Sequence, residues 1–252
     1  MSGVTLVAHY GLKSEGFHGY IRRLQSAVRQ NLGPGLSRAF QPYVIDQVHL
    51  TLVGLEGERV GNRVFGSNYL NSEANIQSMD LRKFLRFVRR TDLLPFELQL
   101  GGFQPDRDYN FRCFGEDPYT MSFSFRGDLA VAIGWQMQGE EVRHSLLGFR
   151  EAMAEFRIIH KYPDDNDGFF VLGRLDRSGL DNVQQAELAA RLQTIEGYIR
   201  AALAADQPFI LPIDRENISV VQYQDSTLPR GGTRFFPLLS RRLTPGFLRS
   251  LY

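Results

Sequence analysis

His49 and Thr51, in the stretch VHLTLVGLEG at 48–57, place an imidazole and a hydroxyl two residues apart. An imidazole with a pKa near neutrality moves protons. The stretch reads as a strand, and residues i and i+2 of a strand share a face. His49, Thr51 and Val53 are therefore expected to look one way, and Val48, Leu50 and Leu52 the other. The pair is either two satisfied polar side chains of a core strand or half of a site.

The other four histidines offer partners. His18 shares a helical face with Arg22, Gln25 and Arg29, and His144 shares one with Gly148, Glu151 and Glu155, so both read as solvated surface residues. His9 closes the strand VTLVAHY and points with Thr5 and Val7, which makes it a candidate for lining a cleft. His160 precedes the turn-rich KYPDDNDG, and a loop can carry it to a cleft as well. Arg230, Arg234, Arg241 and Arg242 form a basic tail that reads as solvated, with phosphate holding as the alternative. Cys113 is the single cysteine, so an internal disulfide and a cysteine-based zinc site are both excluded. No metal and no cofactor are expected.

These residues need a scaffold. VTLVAHY (4–10) reads as a strand, and a helix follows it, closed by Gly33-Pro34-Gly35. After the His49 strand, 56–78 reads as a long surface loop. A basic amphipathic helix at about 80–91 turns Leu81, Phe84, Leu85 and Val88 inward and Arg82, Lys83, Arg86 and Arg89 outward. PFELQLGGF (95–103) and MSFSFRGDLAVAIGW (121–135) read as strands around a polar loop. A helix near 141–157, the strand GFFVLGRL (168–175), a helix over 182–204 and strand signals within 209–223 complete the pattern. Its two halves share an outline of strand, helix, then a strand with a special face. The expectation is a single α+β domain over 1–252 with two lobes.

Composition fits a soluble globular chain: 43% hydrophobic and 23% charged residues in 252. Lys+Arg is 29 against Asp+Glu 28, a net charge of +1, so neither long nucleic acid nor an anionic membrane is expected as partner. The first residues read as a strand and not as a signal peptide, and no apolar run is long enough for a membrane span. A cytoplasmic setting is the expectation. The oligomeric state is not legible.

The order of motifs resembles the 2H phosphoesterase superfamily, which includes the 2′,5′-RNA ligase-like proteins and cyclic phosphodiesterases. HLTLVGLEG matches that family's first His-x-Thr/Ser motif. PFELQLGGF is similar to the strand after its first lobe, and ISVVQYQDSTLPRGGTRFFPL to its terminal strand and glycine-containing tail. The resemblance implies a bilobal fold: two pseudo-symmetric antiparallel sheets, helices packed outside, and a central cleft lined by one motif from each lobe. It also implies metal-independent chemistry, with one histidine taking a proton and the other giving one.

The second motif departs from that pattern. Aligned on its LGRL ending, GFFVLGRL places Phe169 at the histidine position and Val171 at the hydroxyl position. Neither transfers a proton or donates a hydrogen bond. A different register would place Asn217 and Ser219 there, but ISVVQY is better explained as the terminal strand. The expected site is thus His49 and Thr51 as catalytic-type residues, with Phe169, Val171, Arg174 and His160 contributing to substrate or phosphate binding. Three readings follow: a protein that binds a small phosphorylated ligand (a nucleotide or RNA end) with little or no turnover; a working phosphodiesterase pairing His49 with His160, His9 or a tyrosine; or an interaction module on a vestigial fold. A missing general acid costs about 10²–10⁴ in rate, which favours the first.

Overall fold

The computed structural model describes residues 3–70, 77–162 and 164–252. In chain order the elements are β1 (Gly3–Ala8), α1 (Glu15–Leu36), β2 (Phe40–Pro42), β3 (Leu50–Gly54), β4 (Gly57–Val60), β5 (Arg63–Gly66), α2 (Ser67–Leu70) and α3 (Leu81–Arg90). Then come β6 (Phe96–Leu100), α4 (Pro118–Met121), β7 (Phe123–Arg126), β8 (Leu129–Gln138), β9 (Glu141–Arg143), α5 (Ser145–Ala152) and β10 (Gly168–Leu175). The chain ends with α6 (Asn182–Ala205), β11 (Phe209–Ile213), β12 (Ile218–Tyr223), β13 (Thr233–Pro237) and α7 (Pro245–Arg249).

The fold is α+β, as expected, and its two lobes are visible in the strand order. The spine runs β13-β12-β1-β3, then β10-β8-β6-β11, antiparallel throughout. Each lobe contributes four strands. The lobes run together as one sheet through a single rung, Phe170 opposite Leu50. These two residues hold equivalent places in GFFVLGRL and HLTLVGLEG, so an approximate two-fold axis passes through the rung.

The equivalence extends to irregularities. Between β1 and β3 the register passes from Leu6–Val53 to Val7–Thr51, skipping Leu52. Between β8 and β10 it passes from Val171–Val131 to Gly173–Ala130, skipping Leu172. Leu52 and Leu172 are corresponding residues, each bulged from its strand. Each bulged carbonyl is then met by a side chain from a helix of its counterpart lobe. Arg150 of α5 donates from Nε to the Leu52 carbonyl at 3.0 Å and from Nη2 to that of Thr51 at 3.1 Å. Gln25 of α1 donates from Nε2 to the carbonyls of Leu172 and Tyr43, both at 2.8 Å.

The main core lies between the sheet and helices α1, α3, α5 and α6, and takes in Leu50, Leu52, Phe170, Leu172 and Leu175. The opposite face carries two smaller clusters. One holds Val7, Tyr10, Val221 and Leu228, and the other holds Phe103, Val131, Ile133 and Trp135 with Phe169 packed on it.

Several local expectations change. Val53 joins the main core instead of sharing a face with Thr51, because the bulge at Leu52 breaks the alternation. The expected loop at 56–78 contains the β4–β5 hairpin and α2, and residues 71–76 of it lie outside the described residues. The single strand expected at 121–135 is the β7–β8 hairpin, turned at Gly127 with φ 61°. The helix expected from 141 starts at Ser145, after β9. The break at Gly33 is real (φ 74°), yet Pro34 opens a further helical turn that reaches Leu36. Arg89 folds back to donate to the carbonyls of Leu238, Ser240 and Leu243 instead of facing solvent.

Candidate functional site

His49 sits immediately before β3, after a short 3₁₀ turn at Ile45–Gln47. Its Nδ1 lies 2.7 Å from the Gln47 carbonyl oxygen. A carbonyl only accepts, so Nδ1 carries the proton and Nε2 presents a lone pair. The ring is partly buried, and burial lowers its pKa to about 4; the Gln47 hydrogen bond opposes this and the nearby Lys13 charge adds to it. His49 is therefore neutral near pH 7, in one tautomer, with its basic nitrogen free of any hydrogen-bond partner among the described residues. The partly buried Thr51 hydroxyl also has none.

The rung at Leu50 and Phe170 determines what faces them. Continuing the antiparallel register one residue each way brings Thr51 opposite Phe169 and His49 opposite Val171. Four of the expected site residues thus share one face around the two-fold axis. Two are polar and their two symmetry equivalents are apolar.

Arg174 lies on that face too. Leu172 and Leu175 both enter the main core, so the Leu172 bulge leaves Phe169, Val171 and Arg174 on the opposite side. Alternation along the strand did not decide this. The exposed Arg174 donates from Nε to Gln41 Oε1 at 3.1 Å.

His160 is a correction. It is buried, its Nε2 is 3.8 Å from Asp165 Oδ2, and its surroundings include Glu56 beyond the far end of β3. The strand between Glu56 and His49 rises about 3.3 Å per residue, so His160 belongs to the opposite end of β3. The loop after His160 turns back toward α5 to meet Arg150, whose Nη1 is 3.0 Å from Asp165 Oδ2, and that pairing holds the histidine away from His49. His9 is diverted as well: its Nε2 bonds the Pro212 carbonyl at 2.8 Å and its ring packs on Phe17 of the main core. Asn217 donates to the Pro212 carbonyl, and Ser219 lies in β12, the terminal strand beside β1.

Three further residues frame His49. Tyr10 sets its ring edge-on to the imidazole at 6.1 Å and donates its hydroxyl to the Leu228 carbonyl at 3.1 Å. Gln47 donates to the Thr227 carbonyl, and Arg230 pairs with Asp46, so the segment after β12 is strapped beside the site. Lys13 donates to the carbonyls of His9 and Gly11 at 2.6 and 3.1 Å, and burial lowers its pKa to about 8. It remains a cation near pH 7. None of these carries a sequence pattern: HYGLK reads as the end of a strand.

Cys113, Asp165 and Asp167 bring potential ligand atoms within 4.8 Å of one another. Those atoms already serve protein donors. The Cys113 thiol and Trp135 Nε1 each donate to Asp167 at 2.8 Å, and Arg150 holds Asp165. The grouping is a buried polar network that ties the start of β10 to α5. Two open pockets, one between α1 and α6 and one beside α3, lie away from His49. No helix is long and apolar enough to cross a membrane among the described residues.

No known protein family matches the sequence, and no curated protein matches it. Among solved structures, the chain is similar to a conserved protein of unknown function from Agrobacterium tumefaciens, at 14% identity and TM-score 0.45, covering 89% of this chain and 81% of that one. It is similar to a phosphoesterase at 13% identity and TM-score 0.41, covering 94% and 95%. It is also similar to Usb1 of Kluyveromyces marxianus at 11% identity and TM-score 0.43, covering 93% and 97%.

Proposed function

We propose that this is a 2H phosphoesterase-like protein that binds the phosphate of a small ligand, a nucleotide or RNA end, at His49 and Thr51, with little or no turnover. One observation carries this reading. Around the Leu50–Phe170 rung, a neutral histidine and a threonine with open hydrogen-bonding capacity stand opposite their apolar equivalents Val171 and Phe169.

The chemistry follows from the hydrogens. Thr51 can donate to a nonbridging phosphate oxygen, and Nε2 of neutral His49 can accept only from a ligand O–H. Such a pair suits a phosphate with a protonated oxygen, or a phosphate ester with a hydroxyl beside it. Lys13 supplies a cation nearby. Phe169 and Val171 themselves cannot protonate a leaving oxygen. The test is turnover of nucleoside 2′,3′-cyclic phosphates by the purified protein, together with binding of the corresponding monophosphates. Binding without turnover is expected, and turnover that vanishes in His49→Ala would overturn the reading.

One observation favours a second reading, a working phosphodiesterase. Lys13, with its pKa brought down to about 8, is a proton donor within electrostatic reach of His49. Turnover lost in both His49→Ala and Lys13→Met would select it.

A further inference from the structure

A basin of about 430 Å³ opens beside α3, and four arginines line it: Arg63, Arg82, Arg157 and Arg249. They come from four separate elements: β5, the first turn of α3, the residue closing the 3₁₀ turn at Met153–Phe156, and the last residue of α7. None of them forms an ion pair among the described residues. Arg157 donates to Gln77 Oε1 and the Glu155 carbonyl, and Arg249 donates to Asn62 Oδ1, all uncharged acceptors. Arg63 and Arg82 have no hydrogen-bond partner at all among the described residues. The one carboxylate in the lining, Asp80, is committed to Lys83: it caps the backbone N–H at 2.9 Å and pairs with the ammonium at 3.7 Å.

Four guanidinium groups facing one basin repel one another. A chain with net charge +1 does not arrive at this concentration through general basicity. The amino-terminal end of α3, a ten-residue helix, adds its partial positive charge to the same basin. Guanidinium forks match the oxygens of phosphoryl groups, and each retains unspent N–H donors here.

We propose that the basin is an anion site, distinct from the one at His49, for a ligand carrying two or more linked phosphoryl groups. A single phosphate offsets at most two of the four charges, whereas a phosphate chain reaches several of these forks at once. The basic helix read in the sequence then has a role beyond solvation: it contributes Arg82 and its amino-terminal end.

The test is calorimetry at low ionic strength with inorganic pyrophosphate, on the full chain carrying His49→Ala and Thr51→Val so that the other site is silent. One saturable site is expected, weakened by added salt. Adding Arg63→Ala and Arg82→Ala should weaken binding about tenfold or more. Both side chains are exposed and hold no other part of the structure, so the fold should be unaffected, as circular dichroism would check. Absence of saturable pyrophosphate binding, or binding unchanged by the two arginine substitutions, would overturn the site. Citrate bound as tightly as pyrophosphate, or an oligonucleotide bound in its place, would overturn the assignment to a small phosphate chain.

Discussion

Among the described residues, Leu50 and Phe170 form the one rung between β3 and β10, and each is the middle residue of its lobe's His-x-Thr-like triplet. Symmetry about that rung relates His49 to Phe169 and Thr51 to Val171. The matching bulges at Leu52 and Leu172, each met by a side chain from the opposite lobe, show that the backbone around both triplets is alike. The lobes differ in the chemistry they present, not in how they present it.

That difference is reversible by design. Phe169→His with Val171→Thr places a second imidazole and hydroxyl at the equivalent positions. Turnover of a 2′,3′-cyclic nucleotide is expected to rise by about 10² or more over wild type, the low end of what a general acid contributes. Because Phe169 also packs on the Trp135 cluster, the comparison requires a thermal melt showing the variant folded. A folded variant with unchanged turnover would count against the symmetry argument.

The burial of His49 makes a pH prediction. Its folded pKa of about 4 lies below the ordinary 6.5, so between those values the unfolded chain binds the proton first. Stability from this residue is present above pH 6.5 and is lost as pH falls toward 4. Imidazole NMR should show His49 unprotonated down to pH 5. A His49 midpoint near 6.5 would refute the burial account. This also revises the pH dependence that an unperturbed histidine implies: phosphate binding should not strengthen at pH 6.5 through charging of His49.

Lys13 gives the opposite edge. It is charged below about pH 8 and neutral above it. Phosphate affinity at the His49 site is expected to fall as pH rises through 8, and Lys13→Met should flatten that decline while weakening binding at pH 7.

Arg150 is buried outside the site and donates to several backbone carbonyls as well as to Asp165. Arg150→Met takes a donor from the carbonyls of Thr51 and Leu52 and the charged partner from the Asp165 carboxylate, which keeps the Asp167 N–H at 2.8 Å. A loss of about 3–5 kcal/mol is expected from breaking a buried pair. Gln25→Met, which removes a neutral donor, should cost about 1–3 kcal/mol. Urea denaturation measures both, and equal costs for the two would contradict the charge-based distinction.

What the sequence showed depended on whether local pattern controlled the outcome. The triplet at 49–51 was legible because strand alternation puts His49 and Thr51 on one face, and that at 169–171 only through the resemblance, aligned on the LGRL ending. The bulges were not, because a skipped residue in a pairing has no sequence signature when that residue is a leucine like its neighbours. Gln25, on the helix face read as solvated, and Arg150 have no sequence signature as carbonyl ligands, since a polar residue on an amphipathic helix reads as solvated, whereas these two turn inward to backbone carbonyls. The β7–β8 hairpin was concealed because its turn is marked only by the short Arg126-Gly127-Asp128 between Phe125 and Leu129. His160 was misjudged because a loop's destination depends on long-range partners, here Asp165 and Arg150.

The most direct test of the half-site is the His49 imidazole signal during titration with nucleoside 2′- and 3′-monophosphates at pH 6. Watching this one side chain separates the site from the arginine basin. The account predicts a saturable shift of the His49 Nε2 resonance that is abolished in Thr51→Val. A His49 signal unchanged by phosphate and by a panel of nucleotides would contradict it.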